Sequence, residues 1–374
     1  MEGCEVVEPN EIKKEKREDL QIAVSEISEF CKGGVTFVVN DDTRPTPTAK
    51  LLENLGKEVE KSRFIIATGN HSPPFKMEYI FGKAYKIKKI TVHSSHDNSS
   101  YVGKTRFGNS IYLDNQFLKA ERVVVISSTE PHYFAGYTGG RKSLLPGLAG
   151  YETIERNHEL ALKENAKPLN LTGNPVNDEM EDCLELMVRE KELLGVNCVL
   201  DKDHNIFSIK TGDMKKTFKE AVVDAKKIFA VKIKEKADIV ITRATPPLDA
   251  TLYQAQKAID HGKLALKEGG VIILLADCKR IGDRTFYDLL SKNEPRVVIQ
   301  KVNENYKLGY HKAARLAALL LESKIFAVTR LDDHALKKIG ITPFHTLDEA
   351  CKEAKEMGGG KILYLKDGSL TVPV

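Results

Sequence analysis

The chain of 374 residues contains no tryptophan, and its six cysteines (Cys4, Cys31, Cys183, Cys198, Cys278 and Cys351) include no C-x-x-C pair. That scatter excludes a disulfide-stapled secreted scaffold and a cysteine-built zinc site, and leaves reduced thiols in a core. Long apolar runs are missing as well. The richest, such as 271–276, are far shorter than a bilayer-spanning helix, and the opening MEGCEVVEPNEIKKEKRE has no apolar signal core. A soluble, cytoplasmic protein with no membrane partner is the expectation. An excess of one charge is absent too: 57 basic against 53 acidic residues give a net charge of +4. Without a block of like charge, nucleic acid is not expected as a partner.

What is present is enough chain for two domains, each burying its own core. Apolar residues at 20, 24, 27 and 30 predict a helix over 11–31, ended by Gly33-Gly34. A β-branched strand over 35–39 then runs into Asn40-Asp41-Asp42-Thr43-Arg44-Pro45, and helical periodicity resumes over 50–60. The unit repeats as strand 64–67, loop Thr68-Gly69-Asn70-His71-Ser72-Pro73-Pro74 and short helix 75–81, with further strands at 90–93 and 123–126. Such succession predicts an α/β fold with mainly parallel sheets, whose loops at the carboxyl ends of the strands carry ligands. Asp41, Arg44, His71 and His132 all follow such strands.

Helices over 151–165 and 177–194, a hairpin turning at 201–205 and a helix over 215–235 complete a first domain, 1–233. A second α/β domain spans 234–356, with strands at 239–242, 271–275 and 325–328 and helices over 250–265, 285–290 and 311–321. Asp249 is placed to cap the first of these helices. The tail 357–374 reads as a hairpin able to sit on either domain, and an active-site cleft between the two domains is expected.

The stretch 129–158 carries most of the chemistry: two histidines, a lysine and the turn Gly136-Tyr-Thr-Gly139-Gly140-Arg141-Lys142-Ser143. Glycines let backbone N–H groups approach a phosphate while Arg141 and Lys142 add charge, although the spacing is not that of a P-loop and an ordinary tight turn fits these residues equally well. Partial burial before Leu144-Leu145 would lower the Lys142 pKa and make the amine nucleophilic. His71 and His132 sit in strand-end turns where an imidazole can serve as general acid or base; exposed loop histidines are the plain alternative. His158 projects from the apolar side of its helix, as a satisfied core histidine or a metal ligand. His93 and His96 stand in a Ser/Asn-rich setting that reads as a surface loop, and Gln254 and Lys257 share a helical face that can hold a small anion or face solvent.

In order along the chain, Asp-x-Thr-Arg-Pro at 41–45, Thr-Gly-x-His at 68–71, Glu-Pro-His-x-x-Ala-Gly-x-x-Gly-Gly-Arg-Lys-Ser-x-x-Pro-Gly at 130–147, His158 and Leu-Asp-x-x-x-Tyr-Gln-Ala-x-Lys at 248–257 resemble the nickel-pincer-nucleotide lactate racemase family. The resemblance spans most of the chain. It implies a racemase or epimerase of a 2-hydroxy acid, working by proton-coupled hydride transfer through an α-keto acid. The implied cofactor is a nickel-bearing pyridinium-3-thioamide-5-thiocarboxylic acid mononucleotide attached at Lys142, supplied by cofactor-biosynthesis enzymes. By the same resemblance His158 matches the metal ligand, His71 and His132 the acid/base pair, and Arg44, Tyr253, Gln254 and Lys257 the substrate-binding set. Asp41, Thr43, Gly139, Gly140, Arg141 and Ser143 match the surroundings of the cofactor.

Two departures bear on the substrate. Racemases for lactate carry a tryptophan near it in the second domain, and this chain has none. The family's Asn-Gly-Gly-Tyr-Pro is replaced by Arg243-Ala-Thr-Pro-Pro247, where Arg243 can meet a second carboxylate or stand as a surface charge. A non-catalytic nucleotide- or phosphate-binding carrier, and a zinc hydrolase using histidines with Asp41 and Asp42, are the competing classes. The paired histidines weigh against the first and the lack of metal-ligand spacing against the second.

Overall fold

The computed structural model describes residues 4–12, 18–86 and 89–374. It is an α/β protein of two compact units, one formed by residues 11–227 and the other by 1–10 together with 228–374. A first strand, β1 (Cys4–Val7), thus belongs with the far end of the chain.

In the 11–227 unit, α1 (Glu18–Phe30) leads to β2 (Thr36–Asn40), α2 (Thr48–Leu55), β3 (Arg63–Ala67), α3 (Met77–Phe81) and β4 (Ile90–Val92). The predicted helix over 11–31 begins partly in 13–17, outside the described residues. A hairpin of β5 (Ser99–Lys104) and β6 (Ser110–Asp114), the short α4 (Asn115–Leu118) and β7 (Arg122–Ser128) follow. Next come the two-residue strands β8 (Pro131–His132) and β9 (Gly136–Tyr137), then α5 (Tyr151–Glu159), α6 (Pro175–Val188), β10 (Glu192–Leu200), β11 (Ile206–Gly212) and α7 (Met214–Phe229). The sheet runs β11-β10-β7-β2-β3-β4, parallel except for the β10–β11 hairpin. Phe37, Val39, Phe64, Ile66, Val124 and Ile126 alternate onto one face and bury against α1 and α2, with Phe37 stacked on Phe64 at 5.0 Å. Val38, Ile65 and Val125 are buried on the other face, so both sides are covered, as a parallel sheet requires.

The second unit holds β12 (Ala230–Val231), β13 (Ala237–Arg243), α8 (Leu252–Leu264), β14 (Leu266–Leu275), α9 (Arg284–Ser291), α10 (Pro295–Glu304) and α11 (Tyr310–Glu322). After these come β15 (Lys324–Val328), α12 (Asp333–Lys338), β16 (Thr342–Phe344), α13 (Leu347–Glu356), β17 (Ile362–Leu365) and β18 (Val372–Pro373). Its sheet, β1-β17-β13-β14-β15-β16, is parallel throughout. The tail is therefore not a hairpin: β17 enters the sheet between β1 and β13, and β18 pairs with β12.

Some local expectations give way. The helix expected over 177–194 ends at Val188, and Leu193-Leu194 belong to β10, because these residues complete the parallel pairing with β7. Helix α8 is capped by Thr251, whose hydroxyl accepts from the Gln254 N–H at 3.3 Å, rather than by Asp249, whose carbonyl accepts from Cys278. His93 is not on a surface loop. It is buried, with Nδ1 2.9 Å from the Asp114 carboxylate and Nε2 3.0 Å from the Ala149 carbonyl.

In each sheet the chain reverses its direction of winding once, between β2 and β7 in the first and between β13 and β17 in the second. Strands diverge in their connections there, opening a crevice at their carboxyl ends where α/β proteins place ligands.

Candidate active site

The crevice of the first unit is bordered by the loop after β2, which carries Asp41, Thr43 and Arg44, and by the long loop after β7, which carries Glu130, His132 and Lys142. Two contacts tie these loops together: Thr46 Oγ1 donates to Ser128 Oγ at 3.0 Å, and the Arg44 guanidinium meets the Glu130 carboxylate at 2.8 Å. The loop after β3 brings His71 to the same place, with Nδ1 2.7 Å from Asp41 Oδ2. Thr43 fixes the other oxygen of that carboxylate, through its hydroxyl at 2.5 Å and its N–H at 3.1 Å. Burial alone would push the Asp41 carboxyl up, but hydrogen bonds from His71 and Thr43 and the charge on Arg44 outweigh it and hold it below its ordinary value.

An ionised Asp41 makes His71 Nδ1 the proton carrier, which leaves Nε2 as a lone pair. His132 is arranged the other way. Its Nδ1 accepts the Ala135 N–H at 3.3 Å, so the proton of the neutral ring sits on Nε2. In their neutral forms the two rings therefore differ at Nε2, with a lone pair on His71 and an N–H on His132. His71 is largely exposed and His132 buried, clamped between Tyr133 at 4.9 Å and Phe134 at 4.5 Å. The Phe134 ring also meets His158 edge-on at 5.2 Å, so one aromatic spaces the two histidines.

The turn that presents Lys142 depends on missing side chains. Gly139 adopts φ +94°, and a Cβ there would collide with Thr129 Oγ1; Gly140, at φ +48°, would press its Cβ on Phe218. Arg141 has no exposed surface. It stacks over Phe218 at 3.9 Å and donates to Asn177 Oδ1 and to the carbonyls of Ala135, Gly139 and Tyr137, so the structure spends this cation on bracing its own loop. Ser143 is buried with its hydroxyl lacking a hydrogen-bond partner.

Lys142 itself is enclosed by protein yet still touched by solvent. Desolvation, reinforced by the charges of Arg44 and Arg141 and only partly offset by Asp41 and Glu130, lowers its amine to about 7. His158, on α5, is driven down to about 3 by burial and by the Lys142 charge, so its imidazole is neutral throughout the physiological range, the form that can ligate a metal. Among the described residues no group of three or more His, Cys, Asp or Glu side chains converges as a metal set. A metal held here would have to arrive with donors of its own and take one imidazole from the protein. The zinc-hydrolase reading finds no such set among the described residues.

In the second unit Tyr253, Gln254 and Lys257 occupy the first turns of α8, just after β13. Lys257 is buried, and Tyr253 lies against Phe286 and beneath the Lys312 amine, which sits 4.0 Å from the ring centre and donates to the Tyr253 carbonyl. The turn after β17 closes over this helix: the Gly368 N–H donates to the Arg243 carbonyl at 2.8 Å, and its own carbonyl faces His261 Nδ1 at 2.9 Å.

Residues 2–169 match the family model of the lactate racemase N-terminal domain, and residues 232–372 that of the lactate racemase C-terminal domain. The chain belongs to the lactate racemase family. It is 30% identical to the lactate racemase of Thermoanaerobacterium thermosaccharolyticum over 362 residues, covering 90% of this chain and 84% of that one. Identity to the lactate racemase of Lactiplantibacillus plantarum is 29% over 381 residues, 95% of this chain and 88% of the relative. The structure of the Thermoanaerobacterium apoprotein superposes with a TM-score of 0.89 at 26% identity, covering 99% of this chain and 94% of that one. A Thermotoga maritima protein at 15% identity, covering 97% and 100% of the two chains with a TM-score of 0.76, shares the fold. As a member of the lactate racemase family this protein is an isomerase of the racemase class. No helix among the described residues is long and apolar enough to cross a membrane.

The sequence motifs had already singled out most residues of this site, but two participants had no role assigned. Glu130 holds Arg44, and Phe134 separates His132 from His158. Both lie inside the 130–147 run, so the signal was their place in the motif rather than their chemistry. The Asp41 carboxylate is engaged by His71 and Thr43 and also raises the pKa of the Lys142 amine.

Proposed function

We propose that this protein interconverts the two enantiomers of a 2-hydroxy acid, using a nickel-pincer nucleotide attached at Lys142, with His158 as the protein ligand to nickel. The observation that supports this reading most is the Lys142 amine, lowered to about 7 in a glycine-built turn beside a neutral imidazole. An amine that is neutral near pH 7 can form an amide-type bond, and one imidazole suits a nickel whose other donors come with the nucleotide. The buried, unpartnered Ser143 hydroxyl fits a polar group lodged against this turn. When bound, that group supplies an acceptor and donor of hydride, which the protein's own side chains lack.

The remaining work falls to the side chains. Deprotonating the α-carbon of a hydroxy carboxylate is hard beside an ionised carboxylate, whereas removing the hydroxyl proton as hydride leaves yields a planar α-keto acid. His71, with its Nε2 lone pair, takes the hydroxyl proton of one enantiomer, and the imidazolium form of His132 returns a proton to give the other, the roles exchanging in the reverse direction. Arg44, Tyr253, Gln254 and Lys257 are assigned to substrate binding, where cations and an amide hold the carboxylate while the planar intermediate presents its other face. Arg243, exposed at the end of β13, leaves room for substrates with a second carboxylate.

Asp41→Asn is expected to lower racemisation by roughly 10²- to 10⁴-fold, because an amide no longer fixes the His71 tautomer. The same carboxyl, lowered in the folded state, adds stability above the ordinary Asp pKa that is lost as pH falls through its folded value, so the variant should flatten the acid limb of a stability profile below about pH 4. Wild-type-like turnover would remove Asp41 from the mechanism.

The deciding experiment is intact mass of protein co-produced with the cofactor-making enzymes, with peptide mapping at Lys142 and a nickel assay on the same sample. A nucleotide-sized adduct with nickel, followed by loss of optical activity from lactate or another 2-hydroxy acid, is the expected result. Unmodified Lys142 without nickel, in a preparation that loads a known lactate racemase, would overturn the proposal.

A further inference from the structure

A tether and a metal ligand that serve one group must keep a fixed separation, and Lys142 and His158 lie on different segments. Both segments are braced by α6. On the Lys142 side, Arg141 donates to Asn177 at 2.9 Å and lies 3.5 Å from Glu181. On the His158 side the contact is Glu179, a buried carboxylate with 1% of its surface exposed. Its Oε1 accepts from the Thr105 hydroxyl at 3.0 Å, and its Oε2 from Asn109 Nδ2 at 3.1 Å and Asn157 Nδ2 at 2.9 Å. All three donors are neutral. Asn109 also donates to the Thr153 carbonyl at 3.1 Å, and Thr153 Oγ1 donates to the Ser110 carbonyl at 2.8 Å while accepting the Tyr112 N–H at 3.0 Å, so α5 is stitched to the β5–β6 hairpin and to α6 through one buried network. Asn157 immediately precedes His158, and its amide nitrogen also reaches the Val176 carbonyl at 3.4 Å.

A carboxylate buried among neutral donors costs stability relative to a well-packed apolar side chain, so packing alone does not account for it. Its bonds do fix something specific: the rotation of α5 about its axis, which sets where the next residue points its ring. We propose that Glu179 is a positioning residue for His158, acting through Asn157 to aim the imidazole at the group attached to Lys142. The inference rests on the cofactor reading above. Outer-shell partners of this kind govern how firmly a metal is held rather than whether its carrier is attached.

The test compares wild type, Asn157→Ala and Glu179→Gln, each co-produced with the cofactor-making enzymes, by three readouts: adduct mass at Lys142, rate of nickel loss to a chelator, and the absorption spectrum of the loaded protein. Alanine favours the helix, so Asn157→Ala keeps α5 while cutting the link. It should carry the full adduct but lose nickel about 10- to 100-fold faster, with a shifted spectrum. Glu179→Gln can turn its carbonyl to both asparagines and its amide to Thr105, and should hold nickel within about threefold of wild type by conserving those bonds. Nickel retention and a spectrum equal to wild type in Asn157→Ala would overturn the proposal while leaving the cofactor reading intact. A wild type with neither adduct nor nickel would overturn both.

Discussion

Lys142→Met is expected to abolish racemisation, to carry no adduct, and to be more stable than wild type at pH 6. Methionine fills nearly the same volume without an amine, so the variant removes the attachment point and little else. The stability gain follows from the depressed amine. Folded, Lys142 titrates near 7 against an ordinary value of 10.5, so below about pH 7 the native state bears the full cost of a cation enclosed beside Arg44 and Arg141. Between those two values the unfolded chain binds the proton and the folded chain does not, so wild-type stability rises with pH and the advantage of the variant shrinks. An advantage of roughly 1–3 kcal/mol at pH 6, fading toward pH 10, is the expected magnitude in chemical denaturation. The same amine should be acylated more readily near pH 8 than an ordinary lysine in the cofactor-free protein, because far more of it is neutral there. Peptide mapping after brief acylation across pH should give a midpoint near 7 at Lys142. Residual racemisation in Lys142→Met, or acylation spread evenly over the surface lysines, would count against the assignment.

His71→Asn and His132→Asn should each cost roughly 10²- to 10⁴-fold in kcat/KM, and by the same factor in both directions. Equality of the two directions follows from the reaction itself, since enantiomers have equal free energy and microscopic reversibility ties forward to reverse. The informative readout is a single turnover, quenched and assayed for 2-keto acid. In the proposed mechanism each histidine takes the hydroxyl proton of one hand of the substrate and, as imidazolium, returns a proton to that hand. One variant should therefore form keto acid only from the D acid and the other only from the L acid. Keto acid from both enantiomers in both variants would mean that one imidazole, or water, serves both faces. The exposed His71 should also tolerate asparagine with less loss of stability than the buried His132, whose ring packs between Tyr133 and Phe134.

The mainly parallel architecture was legible because β-branched runs such as 123–126 end at polar loops with helical periodicity beyond them. The hairpin around 201–205 was legible for the same kind of reason, a polar turn between two alternating strands. Less was visible where the pattern is weak or the partner remote. The run 94–100 after β4 is rich in serine and asparagine and carries no apolar signal, so His93 beside it reads as a surface residue when it is the buried link between Asp114 and Ala149. Leu193 and Leu194 fit a helix as well as a strand until β7 is placed beside them. Nothing local could have announced that Cys4–Val7 pairs with Ile362–Leu365.

By itself the sequence determined the α/β class, the family, and which loops carry the motif residues, because periodicity and motif spacing are properties of neighbours along a chain. Tertiary structure alone decided the state of those side chains. It determined that the Lys142 amine is lowered, that Asp41 bonds His71, that Arg141 braces its loop, and that Glu179 bonds Asn157. Protonation and orientation depend on desolvation and on charges and donors brought within a few ångströms from distant segments, and no local pattern encodes those distances.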